Sequence, residues 1–349
     1  MSQVHVPVSR VTEGPSRRLE LPPYPTGWFC LAFSDELPRG ACVRATFFGR
    51  ELVLFRGESG RAVAVDAYCP HMGAHMGYGG RVVGDTLRCP FHGFRFDGTG
   101  ACVATPYGKS PPKTRADVWP TLERNGAVFT WYDEAGREPL WDLPPVDFGG
   151  FEPLRYKVWP RLASHPQETT ENSVDFGHLS VVHGYEDVAT LSPLRTDGPY
   201  LTATYGMTRR NPFLPTMAPV KTSFEIHVHG LGYSSVHVLV PEQGIEGHHF
   251  VYPTPIEDGA IQLRAAVAVK AGRLGQIMKP LAFLPRAVAM RIVSEMALKA
   301  YTDDIEQDFD IWENKRYLQP PALADGDGPV GPYRKWCKQF YPAIELAAE

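Results

Sequence analysis

Four side chains in this sequence have the types and spacing for metal chemistry. They are Cys69 and His71 in Cys69-Pro70-His71, then Cys89 and His92 in Cys89-Pro90-Phe91-His92. The pattern is C-x-H, seventeen residues, C-x-x-H. Each stretch offers one thiolate and one imidazole. That donor set suits an iron–sulfur cluster in which two histidines replace two cysteines on one iron. Glycines at 73, 77, 79, 80 and 93 would let backbone N–H groups approach the sulfides. Zinc also accepts two Cys and two His, but a zinc finger groups its cysteines ahead of its histidines. Here the types alternate. Chance burial of all four is the remaining reading, and the order of the donors, with proline after each cysteine, argues against it.

The second informative stretch is Glu171 to His183, which contains Asn172, Asp175, His178 and His183. His178 and His183 are five residues apart. On a regular helix that places them about 140° apart. They converge only if the helix ends between them, and Gly184 permits that. A mononuclear iron needs two His and one carboxylate on one side, with positions left open. The alternative is one core and one surface histidine. The carboxylate must come from elsewhere, and the acidic run Asp303 to Asp310 supplies candidates, each of which could equally be a solvated helix face.

The first pattern resembles the Rieske [2Fe–2S] motif. Rieske proteins of respiratory complexes carry an extra cysteine in each loop, joined as a disulfide; the corresponding places here are Ala74 and Phe91. Where those proteins place hydroxyls, this chain has Phe94 and Phe96. Fewer hydrogen bonds to sulfur imply a lower potential, as in oxygenases and their ferredoxins. With the second stretch downstream, nearly the whole chain resembles a Rieske non-heme iron oxygenase. That resemblance implies His178 and His183 as iron ligands. It favours Asp308 as the third, with Asp304 one turn earlier as rival. It also implies that Asp175 bridges the iron-ligand histidine to His92 of the partner subunit, against a plain helix-capping role. Asn172 is a family position near the iron whose role stays open.

The elements that must position these groups are readable in outline. Short strands and turns from Trp28 to Trp131 predict an all-β domain with the ligand loops at hairpin tips. Pro-rich Glu138 to Pro145 reads as a linker. Strands are predicted at Thr222–His229, Ser234–Val240, His249–Pro255 and Ile261–Val269, forming an antiparallel sheet with one buried face. Helices follow, over Gly272–Lys299 with breaks at Pro280 and Pro285, and over Thr302–Arg316. Residues 320–332 read as loop. The fold class is α+β: a Rieske domain, then a helix-grip catalytic domain with its sheet packed by helices. The expected division is an arm at 1–24, a Rieske domain at 25–145 and a catalytic domain at 146–349.

Composition bounds the partners. The 349 residues are 43% hydrophobic and 21% charged, with net charge −4. Nothing in that balance would neutralise nucleic-acid phosphates. Four of the six cysteines lie outside the cluster motif without paired spacing, which predicts free thiols in a reducing, cytoplasmic setting. No signal peptide or transmembrane run is legible. Gly77 to Gly84 mimics a dinucleotide fingerprint but lacks the strand–turn–helix context. The resemblance to Rieske oxygenases then implies a separate NAD(P)H reductase or ferredoxin as electron donor.

Within that family the chain resembles 3-ketosteroid 9α-hydroxylase oxygenases and cholesterol 7-desaturases. It rests on Tyr24-Pro25-Thr26-Gly27-Trp28-Phe29, on Ala67 to His75, and on Tyr333-Arg334-Lys335-Trp336 with Gln339-Phe340-Tyr341. It implies a monooxygenase of a sterol or steroid, arranged as a head-to-tail homotrimer. Demethylation or hydroxylation of a smaller aromatic is the alternative, and an electron carrier without oxygenase activity is the second. The apolar stretch Ile277–Met296 either packs as a core helix, covers a pocket mouth or touches a membrane. His75, His165, His227, His229, His237, His248 and His249 read as strand, pocket or outer residues, not ligands.

Overall fold

The computed structural model describes residues 19–108, 110–211, 218–272 and 279–342. Most of the expected arm, and the first two residues of the Ile277–Met296 stretch, lie outside them.

The front half builds three small antiparallel sheets. Gly27–Phe33, Ala127–Tyr132 and Thr121–Arg124 form the first, with Ala127–Tyr132 central. All seven residues of Gly27–Phe33 are buried, as its unbroken apolar run dictates. Cys42–Phe47, Arg50–Arg56, Ala62–Asp66 and Val118–Trp119 form the second. Arg81–Val83, Thr86–Arg88, Arg95–Phe96 and Cys102–Ala104 form the third. The Cys89 loop joins the paired strands Thr86–Arg88 and Arg95–Phe96, and the Cys69 loop is closed by the bridge between Tyr68 and His75, so both lie at hairpin tips as the sequence predicts.

The back half is one seven-stranded antiparallel sheet. Its order is 155–162, 260–271, 245–257, 234–240, 220–229, 200–209, 186–197. On Tyr200–Arg209 the buried residues are Leu201, Ala203, Tyr205 and Met207, the period-two signature of a one-sided strand. Five helices are described: α1 (Pro166–Glu171), α2 (Gly177–Val181), α3 (Arg286–Gln307), α4 (Phe309–Asn314) and α5 (Val330–Cys337). Helix α3 buries Ala289, Met290 and Val293 against Val267 and Val269 of the sheet.

Three strands of this sheet escaped the sequence reading. Arg155–Leu162 carries Pro160 and a register shift after Trp159. Glu186–Asp197 is an edge strand, exposed along most of its length and interrupted by Pro193, so it shows no apolar alternation. Tyr200–Arg209 does show the alternation. The helical region also differs. Pro285 is the N-cap of α3, where proline costs nothing. The helix then runs unbroken through Thr302, and the turn falls at Asp308. The loop expected to 332 yields to α5 at Val330. Phe283, Leu284 and Val288, inside the apolar stretch, are exposed.

The two halves share a core. Trp28, Phe129 and Trp131 pack with Tyr233, Phe250 and Tyr252. Buried Arg264 donates to the Leu31 carbonyl at 3.1 Å and pairs with Glu36. Helix α1 is fixed from behind by charge. Arg334 grips Glu171 through two hydrogen bonds of 2.6 and 2.8 Å, and Lys315 reaches fully buried Glu168 at 2.7 Å. His165 caps α1: its Nδ1 accepts from the Gln167 N–H at 3.1 Å, and its Nε2 faces the Pro22 carbonyl at 3.0 Å.

That cap needs neutral imidazole, and burial lowers the His165 pKa to about 4. The unfolded chain takes up this proton near 6.5, so the contribution is complete above that pH and is lost as pH falls toward 4. The expected slope is about 1.4 kcal/mol per pH unit per such histidine. Urea denaturation between pH 7 and 4 checks it. The wild type should lose stability through that window, and His165→Asn, which keeps a cap acceptor, should lose less.

Candidate active site

Asn172, Asp175, His178 and His183 lie on α1, α2 and the turns beside them. Asn172 is the C-cap of α1. Asp175 precedes α2, and its carboxylate accepts from the His178 backbone N–H at 3.2 Å. Helix α2 stops after one turn, and Gly184 follows at φ +65°. That left-handed residue reverses the chain. The two imidazoles, which a continued helix would splay, meet with ring centroids 5.1 Å apart. His178 Nδ1 is taken by the Asp175 carbonyl and His183 Nδ1 faces Gln307 Oε1 at 3.2 Å. Both rings therefore keep Nε2 for another partner.

Asp308 closes the group from the α3–α4 junction. Its Oδ2 lies 3.6 Å from His183 Nε2, too long for a hydrogen bond. It accepts from Asn172 Nδ2 at 3.0 Å, and Trp312 Nε1 holds the other end of that amide at 3.4 Å. Ligand atoms of His178, His183 and Asp308 all lie within 4.8 Å of one another, the one such group of three among the described residues. Burial raises the Asp308 pKa, while His183, His178 and the Asn172 amide pull it down. Asp304, the rival, is engaged elsewhere: its Oδ2 accepts from the Tyr185 hydroxyl at 2.7 Å and from Arg209 at 3.0 Å. Two imidazoles and one buried carboxylate fit a ferrous ion.

The loops at Cys69 and Cys89 are built alike. Gly73 N–H bonds the Cys69 carbonyl at 2.9 Å, and Gly93 N–H bonds the Cys89 carbonyl at 3.2 Å. Both cysteines are buried, while His71 and His92 are half-buried with ring centroids 4.7 Å apart. Phe94 stacks on His71 at 4.1 Å. Burial pushes the Cys69 thiol up to about 11, with the Cys89 sulfur adding to the shift. Adjacent buried thiols of this kind need a cation to become thiolates, and so fit a cluster. His75 stays outside, its Nδ1 accepting from Gly77 N–H at 3.0 Å.

A cavity opens beside the triad. Its walls include Leu179, Phe224, Ile226, Val236, Val238 and Val251. The polar groups Arg209, Tyr185, Tyr301 and His249 also face it. Sequence reasoning missed all of these except His249, along with Gln307 and Trp312. The spacing of Tyr301, Asp304 and Asp308, three then four residues, places them on one helix face and could have pointed to one of these neighbours, Tyr301. His227, His229, His237 and His248 line a separate cleft on the opposite face of the sheet.

Family models match both halves: the Rieske [2Fe–2S] domain over residues 27–120, and the 3-ketosteroid 9α-hydroxylase C-terminal domain over residues 130–341. The chain belongs to the 3-ketosteroid 9α-hydroxylase family. Cholesterol 7-desaturase of Bombyx mori is 32% identical, over 93% of this chain and 71% of the relative. Cholesterol 7-desaturase of Caenorhabditis elegans is 31% identical, over 92% and 78%. The 3-ketosteroid-9-alpha-monooxygenase oxygenase component of Rhodococcus rhodochrous is 30% identical, over 91% and 84%. Among solved structures, NdmA of Pseudomonas putida CBB5 with caffeine matches with TM-score 0.67 at 18% identity, covering 89% of each chain. Dicamba monooxygenase bound to dicamba matches with TM-score 0.61 at 18% identity, covering 90% of this chain and 96% of that one. These two share the fold. Members of this family carry a Rieske cluster, and relatives named as an oxygenase component imply a separate electron donor.

The geometry separates the two aspartates by experiment. Asp308→Asn and His183→Ala should lose the mononuclear iron while keeping the [2Fe–2S] spectrum, and Asp304→Asn should keep both. Asn172→Ala should weaken iron binding about 10- to 100-fold, the usual cost of removing a ligand's hydrogen-bond partner. Metal analysis alongside visible circular dichroism reads each outcome.

Proposed function

We propose that this chain is the oxygenase component of a Rieske monooxygenase acting on a large apolar polycycle, a sterol or steroid. The supporting observation is the convergence of His178, His183 and Asp308 on one wall of a cavity whose other walls are largely apolar. In this reading those three residues hold iron, and Cys69, His71, Cys89 and His92 hold the cluster. When bound, the cluster supplies single electrons and the iron activates O2, chemistry that side chains lack. An NAD(P)H reductase or ferredoxin is the electron source. The domains divide at 25–145 and 146–349.

The chain's own residues do the rest. Gln307 and the Asp175 carbonyl fix the two imidazoles in the tautomer that leaves Nε2 free. Asn172 holds the Asp308 carboxylate at the angle that faces His183. The apolar walls exclude water and accept fused rings. Asp175 keeps part of its carboxylate exposed, which suits a bridge to His92 of the partner subunit in a head-to-tail trimer. Mean mass by light scattering tests that arrangement.

Relatives named for cholesterol and for 3-ketosteroids favour the sterol reading over the small-aromatic one. Oxygen uptake with a surrogate ferredoxin and reductase decides between them. Cholesterol or a 3-ketosteroid should stimulate uptake and yield a product with one oxygen more or two hydrogens fewer. Uptake with methylxanthines or methoxybenzoates alone would replace the sterol reading with the aromatic one. No uptake with either, together with two irons per chain and no iron lost in His183→Ala, would leave an electron carrier.

A further inference from the structure

Most polar groups facing the cavity away from the triad are already spent. Arg209 and Asp304 neutralise each other at 3.0 Å, and the Tyr185 hydroxyl donates to the same carboxylate at 2.7 Å. Tyr205 has a buried hydroxyl with no partner, but it lies at the Asp175 end, under that carboxylate's field. Two groups remain. His249, on the strand Ile245–Glu257, and Tyr301, on α3, both line the cavity with ring centroids 4.4 Å apart. Neither makes a side-chain hydrogen bond among the described residues. Gly247 clears space for the histidine: a Cβ there would sit 3.0 Å from His249 Nε2.

Their place relative to the triad is set by α3. Tyr301 and Asp308 are seven residues apart, two turns, or roughly 10 Å along the axis at 1.5 Å per residue. Asp304 and Ile305 lie between them on the same cavity-facing side. A molecule whose polar end meets Tyr301 therefore has its ring carbons laid along α3 toward Asp308.

We propose that His249 and Tyr301 form a neutral polar anchor for the terminal oxygen of the substrate, an alcohol or a ketone, and so select which ring carbon faces the triad. This rests on the sterol reading above and names its orienting contact. Imidazole and phenol can each donate or accept, which suits hydroxyl and keto oxygens alike. A carboxylate would find no free cation among the described residues that line the cavity, since Arg209 is paired with Asp304. The anchor thus disfavours acidic aromatics.

The test uses the full chain with both metal centres loaded and three probes: cholesterol, cholest-4-en-3-one and the oxygen-free hydrocarbon cholestane. Quenching of tryptophan fluorescence reads binding, because Trp312 lines the cavity. The wild type should prefer either oxygenated probe over cholestane by about tenfold, the usual scale of one or two neutral hydrogen bonds. Tyr301→Phe and His249→Leu should each remove most of that preference and broaden the product mixture. His249→Gln, which still bonds oxygen, should restore it. Comparison of the alcohol with the ketone assigns the oxygen's chemistry. Equal binding of all three probes by the wild type, or variants that weaken all three alike, would overturn the anchor and leave the sterol reading standing. Failure of every probe to bind would overturn both.

Discussion

A carboxylate buried in an apolar wall must be met by positive charge or by hydrogen bonds, or it costs several kcal/mol. Asp308 is 5% exposed. One amide N–H, from Asn172, is its side-chain donor, and two imidazoles face it across a gap too long for hydrogen bonding. A divalent cation resolves that imbalance. Much of the back half exists to keep the imbalance in place. The sheet supplies a wall, α3 ends where the carboxylate is needed, and α2 stops early enough for His183 to return.

The same logic explains the charge behind α1. Asn172 can hold Asp308 only if α1 does not slide. Glu171 with Arg334 and Glu168 with Lys315 pin that helix to the C-terminal segments. A buried ion pair is weak evidence for net stability but strong evidence for a fixed geometry, since breaking one side leaves an uncompensated charge. In front, the paired cysteine loops solve a related problem. Each sulfur is buried on a turn closed by a glycine, while each imidazole stays near the surface. Donors inside and rings outside suit a centre that must exchange electrons with another molecule.

The Cys/His motif was legible because four donors in order carry their own register, whatever strands surround them. The His178 and His183 pair was legible only through resemblance, since helical spacing alone separates the rings. Their convergence depends on where α2 ends and on Gly184, a tertiary outcome that periodicity does not report. The strands at 220–271 announced themselves by alternation. The edge strand Glu186–Asp197 did not, because a strand exposed on most of its length has no apolar face to display. Asp304 and Asp308 looked alike in sequence. The difference is that Tyr185 and Arg209, far off in the chain, occupy one of them. The pairing at the cavity's polar end was invisible for the same reason: His249 read as a strand or pocket residue, but Tyr301 meets it only in the folded protein.

The central claim is that His178, His183 and Asp308 enclose an iron. Diffraction from crystals of the purified protein, collected above and below the iron absorption edge, tests it most directly. The account predicts one anomalous peak bounded by those three side chains and a second, stronger one between the loops of Cys69 and Cys89. A peak at the loops alone, in protein whose iron content is complete, would contradict it.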